Sequence, residues 1–124
     1  MPRIAYVNGR YVRQAEAAVH IEDRGYQFAD GVYEVCLVID GGYWDEEGHL
    51  KRLDRSLKEL DIAPPMSRSA LKTVLSTVVK RNRLKNALVY VQVTRGVAPR
   101  NHSFPAPAVP PSLVGTAKPF DLQK

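Results

Sequence analysis

Hydrophobic and polar positions change period along this chain, and each change marks an expected element. Residues Ile4 to Val7 and Tyr11 to Arg13 flank Asn8-Gly9, a pair suited to the positive backbone angles of a tight turn, so the chain is expected to open with a hairpin. After a polar stretch, Val32 to Ile39 is rich in β-branched and aromatic residues, and Asp40-Gly41-Gly42 turns it back towards Tyr43-Trp44 in a second hairpin. The period then lengthens. From Glu47 to Leu60, Leu50, Leu53, Leu57 and Leu60 recur at helical spacing, with Arg52, Arg55 and Lys58 on the other faces and Pro64 expected to stop the helix near Ile62. Ser67 or Ser69 is suited to cap a second helix whose stripe, Leu71, Val74, Leu75, Val78 and Val79, runs to near Arg83. Both stripes are expected to be core.

The run from Ala87 to Thr94 is almost continuously apolar, which predicts a central strand buried on both faces. Residues 95–111 carry five of the nine prolines and are expected to form a stiffened loop, and Ser112 to Ala117 is expected to return as a last strand. No closing element is evident over Phe120 to Lys124. The order β-β-β-β-α-α-β-β implies an α+β fold: a mainly antiparallel sheet of about six strands with two helices packed on one face.

Composition narrows this picture slightly. At 124 residues the chain is expected to build one domain around one core. No apolar run is long enough for a membrane span and the first residues lack the apolar segment of a secretory signal, so a cytoplasmic location without membrane contact is expected. The single cysteine, Cys36, lies in an apolar run where an inert buried thiol is expected. The net charge of +5 raises the question of nucleic acid. Its densest stretch, Lys80 to Lys85, falls at the end of an expected helix, where cations oppose the macrodipole, and no nucleic-acid partner is expected.

Candidate chemistry gathers where regular elements meet loops: Tyr33, Arg52, Arg100 and His102. Arg100 and His102, separated by Asn101 in the proline-rich loop, suit a small carboxylate or phosphate, through a guanidinium fork and an imidazole donor. Arg52 lies outside the leucine stripe and suits a phosphate, while Tyr33 offers a phenolic hydrogen bond. An ordinary surface pair, a surface arginine and a sheet tyrosine are the competing explanations. Glu34, Asp23 and Asp30 show no spacing that sets a general acid against a base, and none is assigned catalysis. His20, His49 and His102 are widely separated, which excludes a zinc motif, and neither a Walker loop nor a dinucleotide fingerprint is present.

Two long segments carry a resemblance. Glu22-Asp23-Arg24-Gly25-Tyr26-Gln27-Phe28-Ala29-Asp30-Gly31-Val32-Tyr33-Glu34-Val35 resembles the early signature of bacterial D-amino-acid transaminases. Val91 to Pro105, with its Thr94-Arg95-Gly96 and Arg100-Asn101-His102, is similar to the same family's substrate loop, and His49-Leu50-Lys51-Arg52-Leu53 to its phosphate-binding helix start. These are fold-type IV, pyridoxal 5'-phosphate dependent aminotransferases. The resemblance implies that residues 1–124 form the N-terminal domain, that Arg52 holds the cofactor phosphate, and that Tyr33, Arg100 and His102 bind the substrate carboxylate. It also implies an amino acid and a 2-oxo acid as substrates and a homodimer in which the Arg100 loop reaches the partner's site. The Schiff-base lysine comes from the family's second domain, and none of the seven lysines here matches it, so no catalytic residue is assigned and this chain alone is expected to be inactive. Branched-chain aminotransferases and aminodeoxychorismate lyases share the fold but usually lack the Arg-x-His pair. They remain alternatives, as does a non-catalytic oligomeric or anion-binding half-domain.

Overall fold

The computed structural model describes residues 2–121. Its strands are β1 (Ile4–Val7), β2 (Arg10–Arg13), β3 (Gly31–Ile39), β4 (Gly42–Trp44), β5 (Ala87–Thr94) and β6 (Ser112–Pro119). They form one antiparallel sheet in the order β2-β1-β6-β5-β3-β4. The helices are α1 (Arg24–Phe28), α2 (Glu46–Glu59) and α3 (Arg68–Arg81). The α+β expectation therefore holds, and no described helix is long and apolar enough to cross a membrane.

Both expected hairpins form. Asn8 and Gly9 take positive φ, as do Asp40 and Gly41, which lets two-residue loops close with the twist of the strands they join. The alternation of β3 sends Cys36 and Val38 towards the helices, where they meet Val89 and Ala87 of β5, and Ala117 of β6 joins them across Val89. Leu50, Leu53 and Leu57 of α2 and Leu71, Leu75 and Val78 of α3 close this layer into one core.

The opposite face of the sheet is open. Tyr33, Val35 and Leu37 of β3, Leu88, Tyr90 and Gln92 of β5 and Trp44 of β4 lie on it, with Trp44 61% exposed. This corrects the expectation for β5. It is central, between β3 and β6, but only its odd-numbered positions are shut away until Thr94, because no layer within the described residues covers the other side.

The helix ends also differ from expectation. α2 stops at Glu59, and Leu60, expected in the stripe, is half-exposed at its C-cap. Asp61 takes the left-handed conformation (φ 57), and the Asp61 and Ile62 amides donate to the Lys58 and Leu57 carbonyls at 3.1 and 2.9 Å. This is a Schellman motif, with Ile62 buried beside the last turn, so the helix ends before Pro64 can act on it. Ser67 rather than Ser69 caps α3, its Oγ accepting from the Ala70 amide at 3.1 Å. α3 closes in the same way as α2, through Arg83 (φ 54) and Leu84, near the expected end. Asn82, at its end, exchanges hydrogen bonds with the backbone N–H and carbonyl of Ile4 and so ties β1 to the helix layer. β6 runs on to Pro119, past its expected end. The expected tail lies partly outside the described residues; within them, the Phe120 amide donates to the Asn86 carbonyl.

Candidate functional site

The short β4 shapes the region where the candidate residues gather. It pairs with β3 only at Leu37, Val38 and Ile39, so residues 31–36 of β3 have no strand on that side among the described residues. Along this free edge, successive side chains point to opposite faces. Tyr33 projects onto the open face, 62% exposed, with its ring 5.6 Å from that of Tyr90. Tyr90 donates its own hydroxyl to Gln92 Oε1 at 2.6 Å, and burial, followed by the Tyr33 phenol beside it, raises its pKa.

Glu34 turns the other way, towards α2, and is 6% exposed. Its carboxylate receives Arg52 Nε on Oε2 at 2.8 Å and Arg52 Nη2 on Oε1 at 2.7 Å, a two-pronged pair that fixes the plane of the guanidinium. His49, one helical turn before Arg52, places Nδ1 2.7 Å from the same Oε1. An ionised carboxylate only accepts, so Nδ1 carries the hydrogen in this contact. The hydrogen bonds from Arg52, ahead of the opposing effect of burial, hold the Glu34 pKa below its ordinary 4.5, with His49 assisting. Glu34 in return raises the pKa of Arg52. The Arg52 side chain is 65% exposed, so its remaining donors are offered outward to an anion.

Arg100 and His102 lie elsewhere, on the loop after β5. Gly96, at φ 112, makes the turn there, and a Cβ on it would meet the Pro110 carbonyl at 2.2 Å. Both side chains pack against Phe28 of α1: the Arg100 guanidinium is 5.3 Å from its ring centroid and the His102 ring 5.5 Å. Among the described residues, no hydrogen bond, ion pair or ring contact joins either of them to Tyr33 or Arg52. Tyr33 and Arg52 share the free edge of β3, whereas the Arg-x-His pair rests on Phe28 of α1. A groove of about 640 Å³ between α2 and the start of α3 contains none of the four, whereas one of about 630 Å³ in the proline-rich loop is lined in part by Arg100.

Sequence reasoning weighed Asp23 and Asp30 only as catalysts, not as the groups that hold these residues in place. Asp23 caps α1, accepting from the Gly25 amide at 2.8 Å. Asp30 Oδ2 accepts from Arg24 Nε at 2.7 Å and from Arg95 Nε at 2.8 Å. Burial works to raise the Asp30 pKa, but the hydrogen bonds from Arg95 and Arg24 together outweigh it and keep it low. α1 itself fell within the stretch read only as polar. A signal was present in the Asp23 cap, but five residues that bury only an arginine show no apolar period.

Comparison with known proteins places the chain in a family. A family model described as amino-transferase class IV matches residues 31–123, from the first residue of β3 onward. The chain belongs to the class IV aminotransferases. Among curated members, the D-alanine aminotransferase of Staphylococcus haemolyticus is 41% identical over 94% of this chain and 41% of its own length. That of Bacillus licheniformis is 43% identical over 94% of this chain and 40% of its own. A solved structure, that of the branched-chain amino acid aminotransferase from Escherichia coli, shares the fold with a TM-score of 0.87 at 22% identity, over 97% of this chain and 42% of that one. The chain thus spans about two fifths of the length of the class IV aminotransferases it matches.

Proposed function

We propose that the full-length parent of this chain is a pyridoxal 5'-phosphate dependent D-amino-acid aminotransferase, moving an amino group between a D-amino acid and a 2-oxo acid. Residues 1–124 are its N-terminal domain. The observation that carries the reading is Arg52, held flat by Glu34 and half-free to solvent, at the edge of the strand that presents Tyr33. Arg52 fits a phosphate because Nε and one hydrogen of Nη2 are committed to Glu34, while Nη1 and the other Nη2 hydrogen remain available. The D-alanine aminotransferase relatives, 41% and 43% identical, support the substrate class.

In this reading Arg52 would hold the cofactor phosphate. Pyridoxal phosphate would supply the carbonyl that carries the amino group and the ring that draws electrons from the substrate Cα. Tyr33 donates its phenol to the substrate carboxylate, and Arg100 and His102 complete the carboxylate contacts. That neither of those two makes a hydrogen bond, ion pair or ring contact with Tyr33 among the described residues supports a homodimer in which the loop serves the partner's site. The lysine that would form the Schiff base belongs to the remainder of the parent, so this chain binds and orients without catalysing.

Kinetics of the full-length parent test the reading. Arg52→Ala is expected to weaken cofactor affinity, and Arg100→Ala to raise the KM for D-alanine, each by about tenfold to a hundredfold, as loss of a charge-assisted hydrogen bond implies. Turnover of L-leucine with none of D-alanine would overturn the assignment in favour of the branched-chain reading, and a parent without aminotransferase activity would leave only an anion-binding module.

A further inference from the structure

The loop that carries Arg100 and His102 is proline-rich, yet prolines alone do not fix where its side chains point. A second device does. Asp30, on the turn between α1 and β3, bridges two largely buried arginines from opposite ends of the loop's supports. Arg95, at the loop's first residue, uses its other donors on the Asp61 and Leu60 carbonyls at 3.0 and 2.6 Å, which anchors it to the C-terminal end of α2. Arg24, in α1, sends Nη1 to the Asn101 carbonyl at 2.7 Å and to the Ser103 carbonyl at 3.4 Å. The gripped peptide group therefore lies between Arg100 and His102. The Phe104 ring covers the pair from outside, 3.6 Å from the Arg95 guanidinium and 5.6 Å from that of Arg24.

The rest of the loop follows the same plan. The Arg95 amide donates to the Asp30 carbonyl, the Arg24 amide to the Gly96 carbonyl and the Ala98 amide to the Glu22 carbonyl, at 3.0, 2.8 and 3.3 Å. Phe28, on which Arg100 and His102 both rest, also lies under the Arg24 guanidinium at 4.7 Å. Two cations and one anion, taken out of water, are no efficient way to gain stability, since apolar residues of similar volume often do as well or better. What the charged arrangement provides is direction: a planar fork held by a carboxylate aims its remaining N–H groups at defined carbonyls.

We propose that Asp30 and Arg24 are positioning residues for substrate recognition, which set the Asn101 peptide and thereby the directions of Arg100 and His102 before the substrate carboxylate arrives. This rests on the carboxylate-binding role assigned to Arg100 under the proposed function. Preorganisation of this kind lowers the cost of binding without touching the reacting atoms.

The test uses the full-length parent with Asp30→Asn and, as a gentler change that keeps the charge, Arg24→Lys. Each is made alone and in an Arg100→Ala background. The expected result is a KM for D-alanine raised by about tenfold with kcat changed far less, and little further rise once Arg100 is gone. Limited trypsin digestion supplies a readout independent of turnover: cleavage after Arg100 should speed up in both variants. An unchanged KM in the single variants, or a rise of the same factor in the Arg100→Ala background, would overturn the proposal while leaving the role of Arg100 standing. Should Arg100→Ala alone leave KM unchanged, the carboxylate-binding reading itself fails and the positioning role falls with it.

Discussion

At the scale of single residues, the buried Glu34 organises two basic side chains of α2 at once. It neutralises Arg52, sets the plane of its guanidinium and accepts a hydrogen bond from His49 Nδ1. Glu34→Gln keeps the shape but removes the charge, so one prong of the Arg52 pair is expected to weaken or turn away. In the full-length parent, we expect cofactor affinity to fall by about tenfold, read by equilibrium dialysis, with little change in secondary structure. The pH dependence follows from the direction of the shift. A carboxylate whose folded pKa lies below its unfolded value adds stability that is complete above the unfolded value. For Glu34, whose ordinary value is 4.5, that stability is therefore lost as the pH falls from there through the lower folded pKa. Asp30 acts in the same sense below its ordinary 3.8. Thermal melting of the wild-type chain should fall over this acid range, and the Glu34→Gln variant should lose less of its melting temperature there. Equal losses in the two proteins would count against the pairing.

At the scale of elements, both long helices end through a left-handed residue that is not glycine, Asp61 after α2 and Arg83 after α3. A Cβ in that conformation costs about 1–2 kcal/mol, partly offset in a glycine variant by the greater freedom of its unfolded chain. Arg83 is exposed and makes no side-chain hydrogen bond, ion pair or ring contact among the described residues, so Arg83→Gly is expected to stabilise the fold by up to about 1 kcal/mol, measured by urea denaturation. A loss of stability would show that the Schellman geometry is not maintained. The elements also show what a sequence can reveal. The stripes of α2 and α3 and the alternation of β3 were legible because burial against a neighbouring layer imposes a period on nearby residues. The Glu34 to Arg52 pair and the Arg24, Asp30 and Arg95 cluster were not, because each joins elements far apart in the chain and leaves no period behind. Tyr33, Arg52, Arg100 and His102 were singled out as polar groups expected near the junctions of elements and loops, although Arg52 lies in the middle of α2. Their distribution over the free β3 edge and a separate loop depends on strand order, which no local pattern encodes.

At the scale of the whole molecule, the sheet has one face sealed by helices and one left bare. The bare face carries Tyr33, Val35 and Trp44 well exposed beside Leu37 and Leu88, an apolar area of a kind soluble monomers seldom leave open. Expressed alone, residues 1–124 are expected to self-associate, and sedimentation at several concentrations measures this; a strict monomer throughout would count against it. The same two-sidedness constrains how β3 can vary. Tyr33 and Glu34 are consecutive, yet one belongs to the bare side and the other to the helix side, so odd and even positions form two separate sets of sites open to change. Replacements at 35 or 37 alter the bare side and leave the grip on Arg52 intact. An inserted or deleted residue ahead of Tyr33 would exchange the two sets throughout the strand. Descendants of this sequence can therefore explore new side chains at the bare-side positions 35 and 37 of β3, but not a new length for it.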